Sequence, residues 1–442
     1  MATTYLTRTP SSGAATQKAT FSFWVKKTNI TGTPNLFRMY TNSTQYVRIR
    51  FESSNKISFI IINSDSYVVQ LISTQVFRDT SAWYNIVCNM DTTQATASDR
   101  AKIYINGERI TAYDTAVYPP TQDANIIVTP SGTANVIGTQ IGDSASYFEG
   151  CMSHINFTDG YVYQASEFGE TDSTTGEWKI KTSPSVTYGT NGFFILKDGN
   201  SVTDQSGEGN NFAVTAGTLT NTEDCPSNNF TTFAKNYLAR NPSNPTFANG
   251  GTTVGASNDG GTFAGAIAPT TGKYYWEVKI VNGNNARRIG IVRSDATNTN
   301  STTGFQVGGA AGSTTIWTAA YDGYNGYIVH MDGVTRTQLG AYATYTTNDI
   351  IGVALDCDNY TITWYKNDVL IYALSLNATY FEGGVFPANR CDTNQTISYN
   401  FGNGYFGTTA VASAGTNASG IGIFEYDVPT GYTALSTKGL NL

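Results

Sequence analysis

The chain has 442 residues, with 26 Lys and Arg against 33 Asp and Glu and a formal net charge of −7, which is length enough for two sandwich-sized units. Charged residues make up only 13% of it, their place taken by Thr, Ser, Asn, 44 Gly and 28 Tyr; such a composition carries few helix-forming patterns and predicts an all-β chain. The acidic balance argues against nucleic acid and against an anionic membrane surface, because both need clustered Lys and Arg, and the basic residues cluster only at Lys26-Lys27 and Arg287-Arg288.

The start, Met1-Ala2-Thr3-Thr4-Tyr5-Leu6-Thr7-Arg8, has no apolar core of a signal peptide, and no apolar run reaches the length of a membrane span. Phe21-Ser22-Phe23-Trp24-Val25 is the first strong strand, with positions 21 and 23 on one face and 20, 22 and 24 on the other. Trp83-Tyr84-Asn85-Ile86-Val87 follows. In residues 100–110 two strands flank Asn106-Gly107, a pair that tolerates the positive φ of a type I′ hairpin turn. Residues 148–157 alternate as a strand before a turn at Asp159-Gly160, and Gly192-Phe193-Phe194-Ile195-Leu196 is a late apolar strand. The polar stretch 220–229, with Cys225-Pro226-Ser227, reads as a linker, giving units 1–230 and 231–442.

The second unit is carried by Gly272-Lys273-Tyr274-Tyr275-Trp276-Glu277-Val278-Lys279-Ile280, then Arg288-Ile289-Gly290-Ile291-Val292, then Ile350-Ile351-Gly352-Val353-Ala354-Leu355-Asp356, then Thr361-Ile362-Thr363-Trp364-Tyr365-Lys366-Asn367-Asp368. Gly290 and Gly352 are expected where strands approach closely. The fold class that follows is two antiparallel β-sandwich (jelly-roll) domains in tandem. The five cysteines are scattered and odd in number, with no disulfide framework or zinc spacing. Cys88 and Cys151 are expected as buried free thiols, in a chain made in a reducing cytoplasm. No heptad or collagen-like tract supplies a shaft.

Residues 1–230 resemble the laminin-G/concanavalin A-like jelly rolls frequent in tailed-phage structural proteins. The residues that carry this are Phe21-Ser22-Phe23-Trp24-Val25-Lys26, Val76-Phe77, Asp79-Thr80-Ser81-Ala82-Trp83-Tyr84, residues 91–100 and Phe168-Gly169-Glu170-Thr171-Asp172. The family's usual opening, an apolar strand and then Asp-x-Ser-Gly-x-Gly-Asn, stands here near the unit's end, as residues 192–197 and Asp204-Gln205-Ser206-Gly207-Glu208-Gly209-Asn210. The resemblance therefore implies a circularly permuted jelly roll. The second unit is similar to a SPRY domain, in the four runs quoted above and in Phe386-Pro387-Ala388 and Tyr399-Asn400-Phe401-Gly402. The closing Tyr426-Asp427-Val428-Pro429 is frequent at the end of phage SPRY proteins.

Jelly rolls of this kind include glucanases, whose Glu-x-Asp-x-x-Glu strand places two carboxylates about 5 Å apart. Nothing here matches it: Glu277 stands alone, and Asp356 and Asp358 flank a turn. The two histidines, His154 and His330, have no nucleophile elbow beside them. Residues 304–312 are glycine-rich but lack the Lys of a phosphate loop. Related jelly rolls hold Ca²⁺ at one rim, and Asp204, Ser206 and Asn210 lie in the matching loop, with Asp143 and Asp159 at other strand ends. Asx turns that satisfy loop backbone explain the same residues. SPRY domains bind partners through loops at one end, which makes the aromatic-rich segment 317–327, read as a loop, the expected contact surface through Trp317, Tyr321, Tyr324 and Tyr327. The long loops 114–133 and 294–303 are candidates for anchoring.

Together these readings predict a non-enzymatic virion protein of a tailed phage, a tail-fibre or head-fibre appendage with a passive glycan-binding role. Its partners are other virion proteins and a host-surface glycan or protein, with no nucleic acid and no membrane insertion. It is expected as a homo-oligomer, a trimer by the habit of phage fibres, at the virion surface after assembly in the host cytoplasm. A purely architectural role and a polysaccharide depolymerase are the alternatives.

Overall fold

A computed structural model describes the chain except residues 1–2, 144–145, 241–242, 259–260, 284–287, 296–315, 334 and 392–393. Arg287, residues 304–312 and most of the loop 294–303 thus lie outside the described residues. The architecture is all-β, with short 3₁₀ turns as the only helical elements among the described residues. Two compact units divide near residues 221–228, with residues 222–224 packed into the second and 225–227 into the first.

In the first unit an eight-stranded antiparallel sheet runs, in spatial order, Tyr113–Val117, Ser66–Val76, Lys56–Asn63, Gln45–Phe51, Asn35–Asn42, Asn135–Ile137, Tyr5–Arg8 and Ala213–Ala216. A six-stranded sheet runs Glu108–Arg109, Ala101–Ile105, Tyr84–Asp91, Lys18–Lys27, Gly150–Asp159 and Phe193–Ile195. Each sheet is thus closed at one edge by a late strand. The inner faces meet in one apolar core, where the Phe21 ring stacks on Phe157 at 4.6 Å and meets Phe37 of the opposite sheet at 5.0 Å. The hairpin predicted at Asn106-Gly107 is present, with φ of 48° and 86°. A Cβ on Gly107 would also fall 2.5 Å from the Trp178 ring, so glycine is needed there twice over.

The two sheets differ on their outer faces. Nine of the ten residues of Lys18–Lys27 are buried, more than one core-facing side can supply. The outer side of the six-stranded sheet lies under the segment 161–188: Trp24 Nε1 donates to Phe168 O at 3.4 Å, Thr20 Oγ1 accepts from Tyr163 N at 2.9 Å, and Val87 and Tyr104 pack with Ala165, Phe168 and Trp178. The outer face of the eight-stranded sheet keeps Tyr40 and Tyr67 exposed.

In the second unit one sheet runs Phe233–Arg240, Gly261–Gly265, Val385–Cys391, Arg288–Arg293, Ile316–Asp322, Tyr327–Gly333 and Arg336–Leu339. The other runs Ser243–Ala248, Thr253–Asn258, Gln395–Asn400, Lys273–Asn282, Ile350–Asp356, Thr361–Lys366 and Val369–Ser375, and Thr433–Ala434 adds to Lys273–Asn282 in parallel. Trp364 ties the sheets together, its Nε1 donating to Ile289 O at 2.9 Å. Gly290 and Gly352 sit where sequence placed them, at close approaches: a Cβ would lie 1.9 Å from Ala319 O at the first and 2.7 Å from the Tyr275 hydroxyl at the second.

None of the five cysteines is in a disulfide; Cys88, Cys357 and Cys391 are buried, whereas Cys151, expected in the core, is half-buried, as is Cys225. Among the described residues no helix is long and apolar enough to cross a membrane.

Candidate functional site

The segment 317–327 is not a loop. It is the end of strand Ile316–Asp322, a turn at residues 323–326, and the start of strand Tyr327–Gly333, with Asp322 opposite Tyr327 and Trp317 opposite Asp332. Five residues of strand separate Trp317 from the turn, about 17 Å at the usual rise, so the four expected contact residues do not converge. Tyr321 is fully buried; its hydroxyl bonds Ala343 O and its ring meets Tyr345 edge-on at 5.0 Å. Trp317 is half-buried, edge-to-face with Tyr380 at 4.8 Å and 5.2 Å from the Arg293 guanidinium. Of the four, only Tyr324, 53% exposed, and half-buried Tyr327 lie at the turn. The loop reading failed because both faces of the strand are covered, so residues 318–322 are all buried and the alternation that marks a strand is lost. The buried basic residue Arg288 anchors this hairpin through Asp322 at 3.1 Å.

Asp204, Ser206 and Asn210, read from sequence as a calcium rim, are engaged by hydrogen bonds within the protein. Asp204 Oδ1 accepts from Phe194 N at 2.8 Å and Ser206 N at 2.9 Å, and Oδ2 accepts from Ser206 Oγ at 2.7 Å and Asn210 N at 2.8 Å. Four donors fill the four lone-pair positions of a carboxylate. Asn210 Nδ2 donates to Thr190 O and Gly192 O, and its Oδ1 accepts from Arg8. A dication here would displace four protein donors beside a guanidinium. These residues are a loop clasp that ties residues 204–210 to strand Phe193–Ile195. Asp159 acts alike, holding Asn191 Nδ2 at 2.9 Å. Among the described residues no three His, Cys, Asp or Glu side chains gather as a metal site.

The other groups weighed for chemistry are also engaged. Glu277 is fully buried in strand Lys273–Asn282. Its Oε1 accepts from Tyr426 N at 2.8 Å and the Tyr275 hydroxyl at 3.4 Å, and its Oε2 from Glu425 N at 2.9 Å and Asn400 Nδ2 at 3.0 Å. Burial pushes its carboxyl up to about 7, against the lowering pull of those donors. Asp356 pairs with Lys273 at 2.9 Å, and Asp358 accepts from Gly272 N at 2.9 Å. His154, at φ 47° in a bulge, has Nδ1 2.7 Å from Ser153 Oγ, an adjacency the sequence reading passed over. Its Nε2 is buried without a hydrogen-bond partner among the described residues, and burial lowers the ring to about 4, so it is neutral at pH 7. His330 Nδ1 lies 2.9 Å from the Tyr380 hydroxyl.

One constellation was not foreseen. On the outer face of the eight-stranded sheet Arg38 stands opposite Arg48 and Tyr40 opposite Tyr46, with Tyr67 two strands away across Ile62. Its residues are drawn from three strands and appear singly in the sequence, so only the register 38↔48 and 40↔46 assembles them.

Residues 2–167 match the family model of the concanavalin A-like lectin/glucanases superfamily (Laminin_G_3), and residues 273–404 match the SPRY domain. The strands Phe193–Ile195 and Ala213–Ala216, which complete both sheets of the first unit, lie beyond the first match. A search of curated proteins found no match. Among solved structures, the SPRY domain of human HERC1 is 19% identical, covering 38% of this chain and 96% of that one, with a TM-score of 0.29. The heptameric SAP-like pentraxin of Limulus polyphemus is 15% identical over 36% of this chain and 71% of that one, TM-score 0.27. The carbohydrate-binding module CBM66 of Bacillus subtilis is 9% identical over 37% and 89%, TM-score 0.25. The chain is a concanavalin A-like, laminin-G-type domain followed by a SPRY domain.

Proposed function

We propose that the protein is a virion appendage of a tailed phage, a tail-fibre or head-fibre component that meets host-surface glycans without altering them. It works as a homo-oligomer, a trimer, held to the particle by other virion proteins and displayed at its surface after assembly in the host cytoplasm. Repetition on the particle multiplies weak single-site contacts. The observation that carries this reading is the contrast between spent polar groups and displayed rings. Asp204 and Glu277 are saturated by protein donors, whereas Tyr324 is 53%, Tyr40 48% and Tyr67 47% exposed. Tyrosine rings stack on sugar faces while their hydroxyls exchange hydrogen bonds. The resemblance of both units to phage structural proteins supports the setting.

The purified full chain, applied to host cells and to a glycan array with and without a chelator, tests the reading. Saturable binding, unchanged by chelator and weakened by Tyr324→Ala or Tyr67→Ala, is expected. Absence of binding in every condition overturns the glycan role and moves the protein to the architectural reading. That second reading is favoured by one feature: strand Val369–Ser375 ends its sheet with Val369 and Leu370 exposed, an apolar edge suited to cover by another subunit. Reducing-end release from envelope polysaccharide would revive the depolymerase alternative.

A further inference from the structure

The outer face of the eight-stranded sheet holds a charge arrangement that the fold itself does not need. Arg38 and Arg48 are direct partners across strands Asn35–Asn42 and Gln45–Phe51, and Arg50 lies two positions further along the same face. Like charges directly opposite one another are destabilising in a sheet. Among the described residues, of the three only Arg50 hydrogen-bonds a carboxylate, Glu52, through Nε at 3.0 Å and Nη2 at 2.7 Å, though that charge also reaches Arg48. Arg38 Nη1 donates to Gln140 Oε1 at 2.6 Å, a neutral acceptor. Arg48 Nε, shut off from solvent, has no acceptor among the described residues and carries the cost of an unmade hydrogen bond. Burial first, then Arg48, lowers Arg38 to about 10.

Aromatic rings frame the two guanidinium groups. Arg38 Cζ lies 4.6 Å from the Tyr40 ring centre and 5.3 Å from that of Tyr46, and Arg48 Cζ lies 5.7 Å from Tyr46. These rings lie within cation–π reach of the guanidinium groups, whose planar forks suit a planar acceptor. Beside them on the next strand, Ile60 opposite Arg48 and Ile62 opposite Tyr46 are buried and apolar. A patch with three arginines and one glutamate, on a chain of net charge −7, matches an anion that is flat at its charged end and ring-shaped beyond it.

We propose that Arg38, Arg48, Tyr40, Tyr46 and Tyr67 form a binding site for an acidic, carboxylate-bearing sugar. The carboxylate takes the guanidinium pair and the sugar ring stacks on the exposed tyrosines. This deepens the appendage reading, on which it rests, by naming the class of glycan.

The test is titration of the full chain with oligogalacturonate, a neutral maltooligosaccharide and a sulfated heparin fragment, run beside the host-cell assay. Oligogalacturonate is expected to bind, more weakly as salt rises from about 50 to about 300 mM, and the neutral oligomer to bind at least tenfold more weakly. Arg48→Gln is expected to lose at least tenfold while melting like the wild type, and Arg48→Lys to recover only part, because the ammonium lacks the planar fork. Tyr67→Ala is the second variant, expected to weaken binding several-fold. Equal binding of acidic and neutral oligomers, binding of the sulfated fragment alone, or unaltered binding by both Arg48→Gln and Tyr67→Ala overturns the site. Host-cell binding without oligogalacturonate binding overturns this inference and leaves the appendage reading standing; loss of both overturns both.

Discussion

Each unit buries ionisable side chains that ordinary packing would leave outside, and Lys27 of the first and Glu277 of the second are accommodated differently. In the first unit Lys27, 1% exposed at the end of its strand, gives Nζ to Asn55 Oδ1 at 2.6 Å and lies 4.5 Å from the Phe51 ring centre. Both partners belong to strand Gln45–Phe51 of the opposite sheet and the turn that follows it. In the second unit Glu277 meets four donors, and two of them are backbone N–H groups 148 and 149 residues away. Lys27 therefore fastens a local turn that a hairpin would make unaided, whereas Glu277 is one docking point for the chain's last segment, beside Ile423 N to Gly402 O at 2.9 Å and the pairing of Thr433–Ala434. A buried charge is dispensable when its partners are held by other bonds, and costly to remove when its partners have nothing else.

The sharpest break of that comparison is Glu277→Ala. It leaves the N–H groups of Glu425 and Tyr426 without their acceptor and the amide of Asn400 with Ile423 O alone, and each buried unmade bond costs about 1–3 kcal/mol. The loss for the second unit should be roughly 4 kcal/mol, lowering its calorimetric transition by about 8–16 °C and opening residues 411–432 to proteolysis. An unmoved transition would mean that the tail docks without the carboxylate.

The two groups also predict pH dependences of opposite sign. The Glu277 carboxyl, raised by burial from 4.5 to about 7, binds more protons in the folded than in the unfolded chain between those values. Its contribution is fully present below the unfolded value and is lost as pH rises through 7, about 3 kcal/mol in all. The Lys27 amine, lowered by burial and then by Arg78 from 10.5 to about 8, binds fewer protons when folded between 8 and 10.5. The first unit should therefore gain stability as pH rises through that window, by about 3 kcal/mol. Urea midpoints of the two transitions measured from pH 4.5 to 10.5 read both slopes, and parallel slopes in the two units would remove the distinction.

How far sequence reached follows the same line between local and distant partners. The Asn106-Gly107 hairpin and the close approaches at Gly290 and Gly352 were legible because their cause is a backbone requirement of that residue. The strand at residues 317–322 was not, since burial of both faces erased its period and left a glycine- and tyrosine-rich run that reads as loop. Asp204 was legible as a loop residue, but the saturation of its carboxylate needs Phe194, ten residues back, and the Arg8 bond to Asn210 spans 202 residues. The Arg38–Arg48 face escaped because register, which sequence alone did not supply, turns isolated residues into opposed pairs.

Lys27→Met gives the smallest expected effect and the most exacting check. The thioether keeps most of the stem's contact with Phe51 and removes a charge whose burial is unfavourable at pH 7, while Asn55 Oδ1 loses its donor. The first term favours the variant and the second opposes it by about 1–3 kcal/mol. Asn55 holds its left-handed φ of 64° through backbone bonds at both ends, its N–H to Glu52 O at 2.8 Å and its carbonyl from Phe77 N at 2.8 Å, so the turn survives. The net change at pH 7 should fall within about 1 kcal/mol of zero, and the gain in stability between pH 8 and 10.5 should vanish. If Lys27→Met instead costs as much as Glu277→Ala, the amine is the first unit's docking point after all, and the turn at Asn55 depends on it.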